Sequence, residues 1–181
     1  MTRNFIAAFA APAIAALGVG VSAALASGAG WTERLAYGDP AERLTSERAA
    51  IHAETIFARA DLDRSGALDA NEYVSLAIVT AELARLNGFV ALEIGDAAEI
   101  VSVPITPPSA MSSAERIRVE AVARNEFYAA AGDDGLMSVE EFLGEQAARF
   151  EAADRNRNGA LGKSELVNFA SRAAFVSEAG A

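Results

Sequence analysis

The sequence predicts a mainly α-helical protein made of helix-loop-helix units, with a small β-hairpin or an irregular insertion in the middle of the chain. Two observations indicate the helical units. Apolar residues recur at helical spacing on both sides of an acidic segment, residues 61–72, and the same arrangement returns near the C-terminus. The third observation is the alternation of apolar residues between Gly88 and Met111, which indicates the insertion.

The acidic segment DLDRSGALDANE, residues 61–72, is called the first loop. Oxygen-bearing side chains stand at its positions 1, 3, 5 and 9, a carboxylate stands at position 12, and a glycine at position 6. Carboxylates this close repel one another unless a cation lies between them. This spacing allows the oxygens to surround one hard cation. The residues concerned are Asp61, Asp63, Ser65, Asp69 and Glu72.

Helices are predicted on both sides of the first loop. Asp39 is expected to cap the first of them, with Pro40 in its first turn, and the helix should run to about Ala60. Asp69 and Glu72 form a capping pair for the second helix, which should last to about Leu86, where Asn87-Gly88 is a stop signal. The apolar stripes are Ala53, Ile56, Phe57 and Ala60 before the loop, and Tyr73, Leu76, Ala77 and Thr80 after it.

The middle of the chain allows two interpretations. Alternating apolar residues on either side of Gly95-Asp96 favour a β-hairpin, namely Val90, Leu92 and Ile94, then Val101, Val103 and Ile105. Alternatively, the preceding helix extends to Ile94. Three prolines at 104, 107 and 108 then favour an extended linker. Ser112 and Glu115 form a capping box for a helix that should run to about Ala130.

The N-terminus has the pattern of a secretory leader. Arg3 precedes a long apolar run, and Ala24-Leu25-Ala26 is a small-x-small cleavage signal, so cleavage after Ala26 is expected. A retained membrane anchor is the competing interpretation, because the run is just long enough to cross a bilayer. Its richness in alanine and glycine favours cleavage, which predicts a periplasmic or secreted protein with no stable membrane anchor.

Composition excludes several classes of function. The formal net charge is −10, and loss of Arg3 with the leader makes the chain one unit more negative, which disfavours nucleic acid as a partner and favours cations. Cysteine is absent, so disulfides and thiolate metal sites are excluded. His52 is the single histidine; it is expected on a helix, at the surface or partly packed, and leaves no multi-histidine zinc site.

Residues 154–165, called the last loop, repeat the theme of the first. They fit the pattern D-x-[DN]-x-[DN]-G-x5-E at every specified position. Phe150 precedes this loop by the same interval as Phe57 precedes the first. Leu161 corresponds likewise to Leu68. Because the flanking apolar positions recur together with the loop, the sequence contains an internal repeat.

Two such loops with matching flanks resemble the EF-hand superfamily, and particularly the small exported EF-hand proteins of Gram-negative bacteria. The resemblance implies about two bound Ca2+ ions. In the first loop the implied ligands are Asp61, Asp63, Ser65, the carbonyl of Ala67, Asp69 through a water, and both oxygens of Glu72. In the last loop they are Asp154, Asn156, Asn158, the carbonyl of Ala160, a water at Gly162, and Glu165.

A degenerate unit lies between them at residues 130–141, called the middle loop. Its glycine and glutamate fit the frame, but Ala130 and Gly132 stand where the first ligands belong, so weak binding or none is expected. The resemblance implies that paired loops touch at position 8, which sets Met137 beside Leu161. One helix should serve both the middle and the last loop. The first loop has no sequential partner, which leaves a cryptic loop, packing on the later pair, or dimerisation.

The expected organisation is a leader at 1–26, a first EF-hand at 39–87, a linker or hairpin insertion at 88–111, and an EF-hand pair at 112–175. The leading functional hypothesis is a non-enzymatic, exported calcium-binding protein that acts as a buffer or a sensor. The alternative is a protein-protein interaction module that calcium rigidifies, using the apolar segment 89–105 to bind an unidentified protein partner. No nucleophile motif or phosphate-binding glycine loop indicates an enzyme.

Overall fold

The computed structural model describes residues 38–105 and 107–176. The expected leader therefore lies outside the described residues. The elements in chain order are β1 (Asp39–Pro40), β2 (Arg43–Thr45), α1 (Ser46–Ala60), β3 (Ala67–Leu68), α2 (Ala70–Asn87), β4 (Phe89–Ile94), β5 (Ala97–Ser102), α3 (Ser113–Ala130), β6 (Met137–Ser138), α4 (Val139–Ala153), β7 (Ala160–Gly162) and α5 (Lys163–Ala173). The predicted mainly α architecture with a small β insertion is confirmed.

The start of the first helix was predicted wrongly. Helix α1 begins at Ser46, with Thr45 rather than Asp39 as its N-cap. Asp39 and Pro40 instead form β1, which lies parallel to β5, and the next amide, that of Ala41, donates to the carbonyl of Ile100 at 2.9 Å. The tertiary pairing with the hairpin therefore overrides the local helix-start signal.

Helix α2 has the predicted ends. Asp69 accepts from the backbone of Glu72, and Glu72 accepts from the backbone of Asp69, so the capping box is complete. At the other end, Gly88 adopts the left-handed conformation (φ 73°) and donates to the carbonyl of Ala84. The helix stops there because a left-handed residue turns the chain away from the helix axis.

The segment after α2 is a β-hairpin, and the alternative of a helix extended to Ile94 is wrong. Strands β4 and β5 pair antiparallel from Phe89↔Ser102 to Ile94↔Ala97, around the predicted turn at Gly95-Asp96. Val90, Leu92 and Val101 are buried. Since its apolar side chains face inward, the hairpin contributes to the core.

Helix α3 begins with the predicted capping box of Ser112 and Glu115 and ends at Ala130. A polar network joins α3 to α2 and α4. Arg149 donates to the hydroxyl of Tyr73 at 2.9 Å and to Glu126 Oε2 at 2.8 Å. Burial raises the pKa of Tyr73 to about 12, so its hydroxyl stays protonated at neutral pH. The network therefore links the three helices to one another.

The pairing of the loops differs from the expectation. Leu161 lies opposite Leu44, and Met137 lies opposite Leu68, so the predicted contact between Met137 and Leu161 is wrong. Helix α4 has 15 residues, a length of about 22 Å, and it separates the middle and last loops. Two loops at opposite ends of one straight helix cannot touch each other.

The fold is instead an approximate two-fold repeat around two shared helices. Helices α1 and α4 both have 15 residues, begin after the N-caps Thr45 and Ser138, and are followed by the C-caps Asp61 and Asp154. They pack against each other, and the amide of Ser46 at the start of α1 donates to the carbonyl of Gly159 in the last loop. The first loop therefore pairs with the middle loop, and the last loop pairs with β2.

Two apolar clusters support the two pairs. One surrounds the first and middle loops and contains the rings of Phe57, Phe127 and Phe142. The other joins the hairpin to β2, the last loop and α5, and contains Leu44 and Phe169. Within the described ranges, no helix has the length and apolarity needed to span a membrane.

His52 provides a pH-dependent contribution to the stability of this arrangement. The amide of Glu93 in β4 donates to His52 Nδ1 at 3.0 Å, and burial lowers the pKa of His52 below its usual 6.5. The folded protein therefore disfavours the protonated ring. The stability from the neutral ring should be full above pH 6.5 and should fall as the pH drops below 6.5 towards the lower folded pKa.

Chemical unfolding of the parent and of His52→Gln, measured at pH values above and below 6.5, tests this expectation. The difference between their free energies of unfolding should shrink on acidification, because only the parent must protonate a buried ring. A difference that stays constant with pH would contradict the role given to His52.

Candidate metal centres

The backbone of the first loop is shaped for the turn that the sequence predicts. Arg64 and Gly66 both have positive φ, at 60° and 85°. The carboxylate of Asp61 accepts from the amides of Ser65 at 2.9 Å and Gly66 at 3.0 Å. These bonds hold the loop closed around its first acidic residue.

Three carboxylates converge inside the first loop. Asp61, Asp63 and Glu72 each offer an oxygen, and these oxygens lie within 4.8 Å of one another. Glu72 reaches back across the loop, since its Oε1 accepts from the amide of Leu62 at 2.8 Å and its Oε2 from Asp69 at 3.0 Å. Hard oxygen donors at this separation fit a calcium-sized cation, which would also relieve their mutual repulsion.

The other predicted ligands of the first loop have different partners. The hydroxyl of Ser65 donates to the carbonyl of Ala67 at 2.8 Å. The two oxygens are therefore adjacent, and rotation of the hydroxyl proton leaves both available to a cation. Asp69 caps α2 through Oδ1, which accepts from Asn71 and Glu72. That cap suits an indirect role through water better than direct ligation.

The last loop repeats this construction with fewer charges. Arg157 and Gly159 have positive φ, at 57° and 74°. Asp154, which is 8% exposed, accepts from the amides of Asn158 at 3.2 Å and Gly159 at 2.8 Å. The two aspartates that open the complete loops thus have equivalent hydrogen bonds.

The amide side chains of the last loop already contact its backbone and its glutamate. Asn156 Nδ2 donates to Glu165 Oε1 at 2.8 Å, which brings position 3 of the loop against position 12. Asn158 Oδ1 accepts from the amide of Ala160 at 2.9 Å. The possible metal ligands of the last loop are neutral oxygens and carboxylate oxygens, so they also fit calcium. They carry less negative charge than the ligands of the first loop.

The structure starts the middle loop one residue later than the sequence predicts, at Ala131 instead of Ala130, so it reaches Glu141 with one residue fewer than the complete loops have. Helix α3 has Ala131 as its C-cap, in the place held by Asp61 and Asp154 after α1 and α4. A Cβ at Gly132 would lie 2.9 Å from Glu141 Oε1, so the glutamate occupies the space where a ligand side chain would stand. Because the middle loop lacks the first ligands and the space for them, a structural role is favoured for it over calcium binding.

The pairing places the first loop beside the incomplete middle loop and the last loop beside β2. Leu68 and Met137 are fully buried where the first and middle loops pair, and Leu44 and Leu161 are fully buried in the other pair. β2 was not recognised from the sequence as the partner of the last loop. The signal was available, because Leu44 precedes α1 by the same interval as Met137 precedes α4.

Comparison with known proteins agrees with this geometry. The family model described as "EF hand" matches residues 53–77 and 146–170, which contain the first and last loops with parts of their flanking helices. These two matches support an EF-hand superfamily assignment and indicate calcium binding at two places. No curated protein and no solved structure matches the chain.

The two complete loops should differ in affinity. The first contains four acids and one base, Arg64, whereas the last contains two acids and three bases. Because calcium affinity rises with the charge of the ligands, the first loop should bind more tightly. Magnesium should compete poorly at both, since it demands a smaller octahedral site.

Calorimetry on Glu165→Gln and Glu72→Gln tests this order, because each variant leaves one complete loop. The tighter site should remain in Glu165→Gln and disappear in Glu72→Gln. A tighter site in Glu72→Gln would contradict the charge argument.

Proposed function

We propose that the protein is an exported, non-enzymatic calcium-binding protein that acts as a calcium buffer through the first and last loops. The convergence of Asp61, Asp63 and Glu72 within 4.8 Å is the observation that carries the proposal. Without a cation the three carboxylates repel one another, which is unfavourable, and a cation bound between them replaces this repulsion by attraction. The last loop, with equivalent backbone bonds, supplies the second site.

Two features support a buffer rather than a sensor. Hydrogen bonds already hold both loops closed, so calcium needs little rearrangement to bind. In addition, the chain has three methionines, and both that lie in the described part, Met111 and Met137, are buried. Sensors expose a methionine-rich groove when calcium enters, and buffers barely open.

A calcium titration followed with an apolar fluorescent dye tests the buffer role. Calcium should bind without an increase in dye fluorescence. The double variant Glu72→Gln/Glu165→Gln is the matched control, because it should show the same dye signal with and without calcium. A large dye signal that requires calcium and disappears in the control would show a sensor instead.

Export is supported by the leader at residues 1–26. N-terminal sequencing of the protein recovered from the periplasm or the medium should give Ser27 as its first residue. Ala24→Glu/Ala26→Glu removes the small residues that cleavage requires and should leave the leader attached. Recovery of an uncut parent in the membrane fraction would favour the retained anchor.

The alternative function, a protein-protein interaction module, receives little support from the structure of segment 89–105. Its proposed binding surface was the apolar segment 89–105, but Leu92, Ile100 and Val103 are buried in the protein's own core. These side chains offer little apolar surface to a partner. The calcium buffer is therefore the function that the described geometry supports best.

A further inference from the structure

The last loop contains an asparagine followed directly by a glycine, the pair Asn158-Gly159. In such a pair the backbone nitrogen of the glycine can attack the side-chain carboxamide of the asparagine, because glycine has no Cβ to hinder the ring that forms. The ring, a succinimide, forms with release of ammonia, and water then opens it to aspartate or isoaspartate. Both residues are exposed, so water reaches this site.

The hydrogen bonds of the last loop bring the two reacting groups together and also restrain them. Asn158 Oδ1 accepts from the amide of Ala160 at 2.9 Å, which folds the carboxamide back over the intervening peptide of Gly159. The amide of Gly159, whose nitrogen is the nucleophile, donates to Asp154 Oδ2 at 2.8 Å. Because this amide must leave the carboxylate before its nitrogen can attack, the reaction requires the loop to open.

We propose that Asn158 is a deamidation site and that calcium bound in the last loop protects it. This inference rests on the proposed function, because it requires the last loop to bind calcium. Asp154 and Asn158 are both implied ligands, so an ion between them holds the carboxamide and the acceptor of the Gly159 amide in place. If only the calcium-free loop opens, calcium slows the reaction by the factor 1 + [Ca2+]/Kd, about 100-fold at 100 times the Kd.

The two products change the last loop in different ways. Aspartate at position 158 adds a third acid to the two that the loop contains, and calcium affinity rises with the charge of the ligands. Isoaspartate routes the main chain through its side chain, which adds one methylene to the backbone and displaces the turn at Gly159, where φ is 74°. A period without calcium should therefore alter the last loop permanently.

Peptide mapping by mass spectrometry measures the reaction in the chain that begins at Ser27, aged either with a chelator or with calcium. The mass increase of deamidation should accumulate at Asn158 in the chelator and should be slower in calcium by the factor given above. The pair Asn87-Gly88 is the internal control, since the amide of Gly88 donates to the carbonyl of Ala84 at 2.8 Å and no implied ligand belongs to that turn. The rate at Asn87 should be the same under both conditions.

Two variants separate this proposal from the proposed function. In Glu165→Gln, calcium should no longer slow deamidation at Asn158, whereas Glu72→Gln should retain the protection, and circular dichroism should show that both are folded. Equal rates with and without calcium, in a parent whose last loop binds calcium by calorimetry, would overturn this proposal alone. An Asn158 that stays intact in the chelator would overturn it as well. Failure of the last loop to bind calcium would overturn both proposals.

Discussion

Replacing Glu72 by glutamine is expected to lower the calcium affinity of the first loop by more than about 100-fold. Loss of a group that only hydrogen-bonds to a metal ligand already costs about 10- to 100-fold, and Glu72 is an implied ligand itself. The substitution removes one of the three converging carboxylates. The amide oxygen of glutamine can still accept from Asp69, so the helix cap is retained and the fold should survive.

Glu141→Gln is the matched control for that experiment. Glu141 occupies the same position in the middle loop and makes the same capping bond, with Ser138, but in the described structure it does not belong to a group of three converging carboxylates. Calorimetry should therefore find the stoichiometry and affinities of the parent in Glu141→Gln. An unchanged tighter site in Glu72→Gln, or a lost site in Glu141→Gln, would contradict the assignment.

Replacing Phe142 by alanine is expected to reduce the free energy of unfolding by about 3 to 5 kcal/mol. The ring is fully buried between Phe57 and Tyr73, in the cluster that supports the first and middle loops. Its removal leaves a cavity that closely packed neighbours cannot fill. Chemical denaturation in the presence of a calcium chelator measures this loss without a contribution from the ion.

Ile117→Ala provides the comparison, because it also truncates an apolar residue of a helix, but one that is 67% exposed. Its effect should stay within about 0.5 kcal/mol. Equal losses for the two variants would show that the Phe57, Tyr73 and Phe142 cluster is not the centre of this half of the core.

Local signals were sufficient to predict several elements. The capping boxes at Asp69 and Ser112 and the Asn87-Gly88 stop act within one turn of chain, so the sequence shows them directly. The hairpin was predicted with equal success as one of two alternatives, because alternation around Gly95-Asp96 is a local pattern as well. The donor spacing of the first loop, likewise, is contained within its own residues.

The long-range arrangement could not be predicted in the same way. Asp39 and Pro40 have the chemistry of a helix start, but pairing with β5 is available only in the folded protein. The loop pairing depends on the length of α4, which keeps the loops at its two ends apart. It also depends on α1, an equivalent helix of the same length whose flanking segments pair with those two loops. The internal repeat also includes Leu44 and Thr45, which precede the first helix. That extension of the repeat predicts both pairs, the first loop with the middle loop and the last loop with β2.

The central claim is that two loops, and only those two, bind calcium. Calorimetric titration of the chain beginning at Ser27 tests it most directly when the parent is compared with Glu72→Gln/Glu165→Gln. The parent should bind two calcium ions, in accordance with its two EF-hand matches, and the double variant should bind none. A folded double variant that still binds calcium as the parent does would contradict the account.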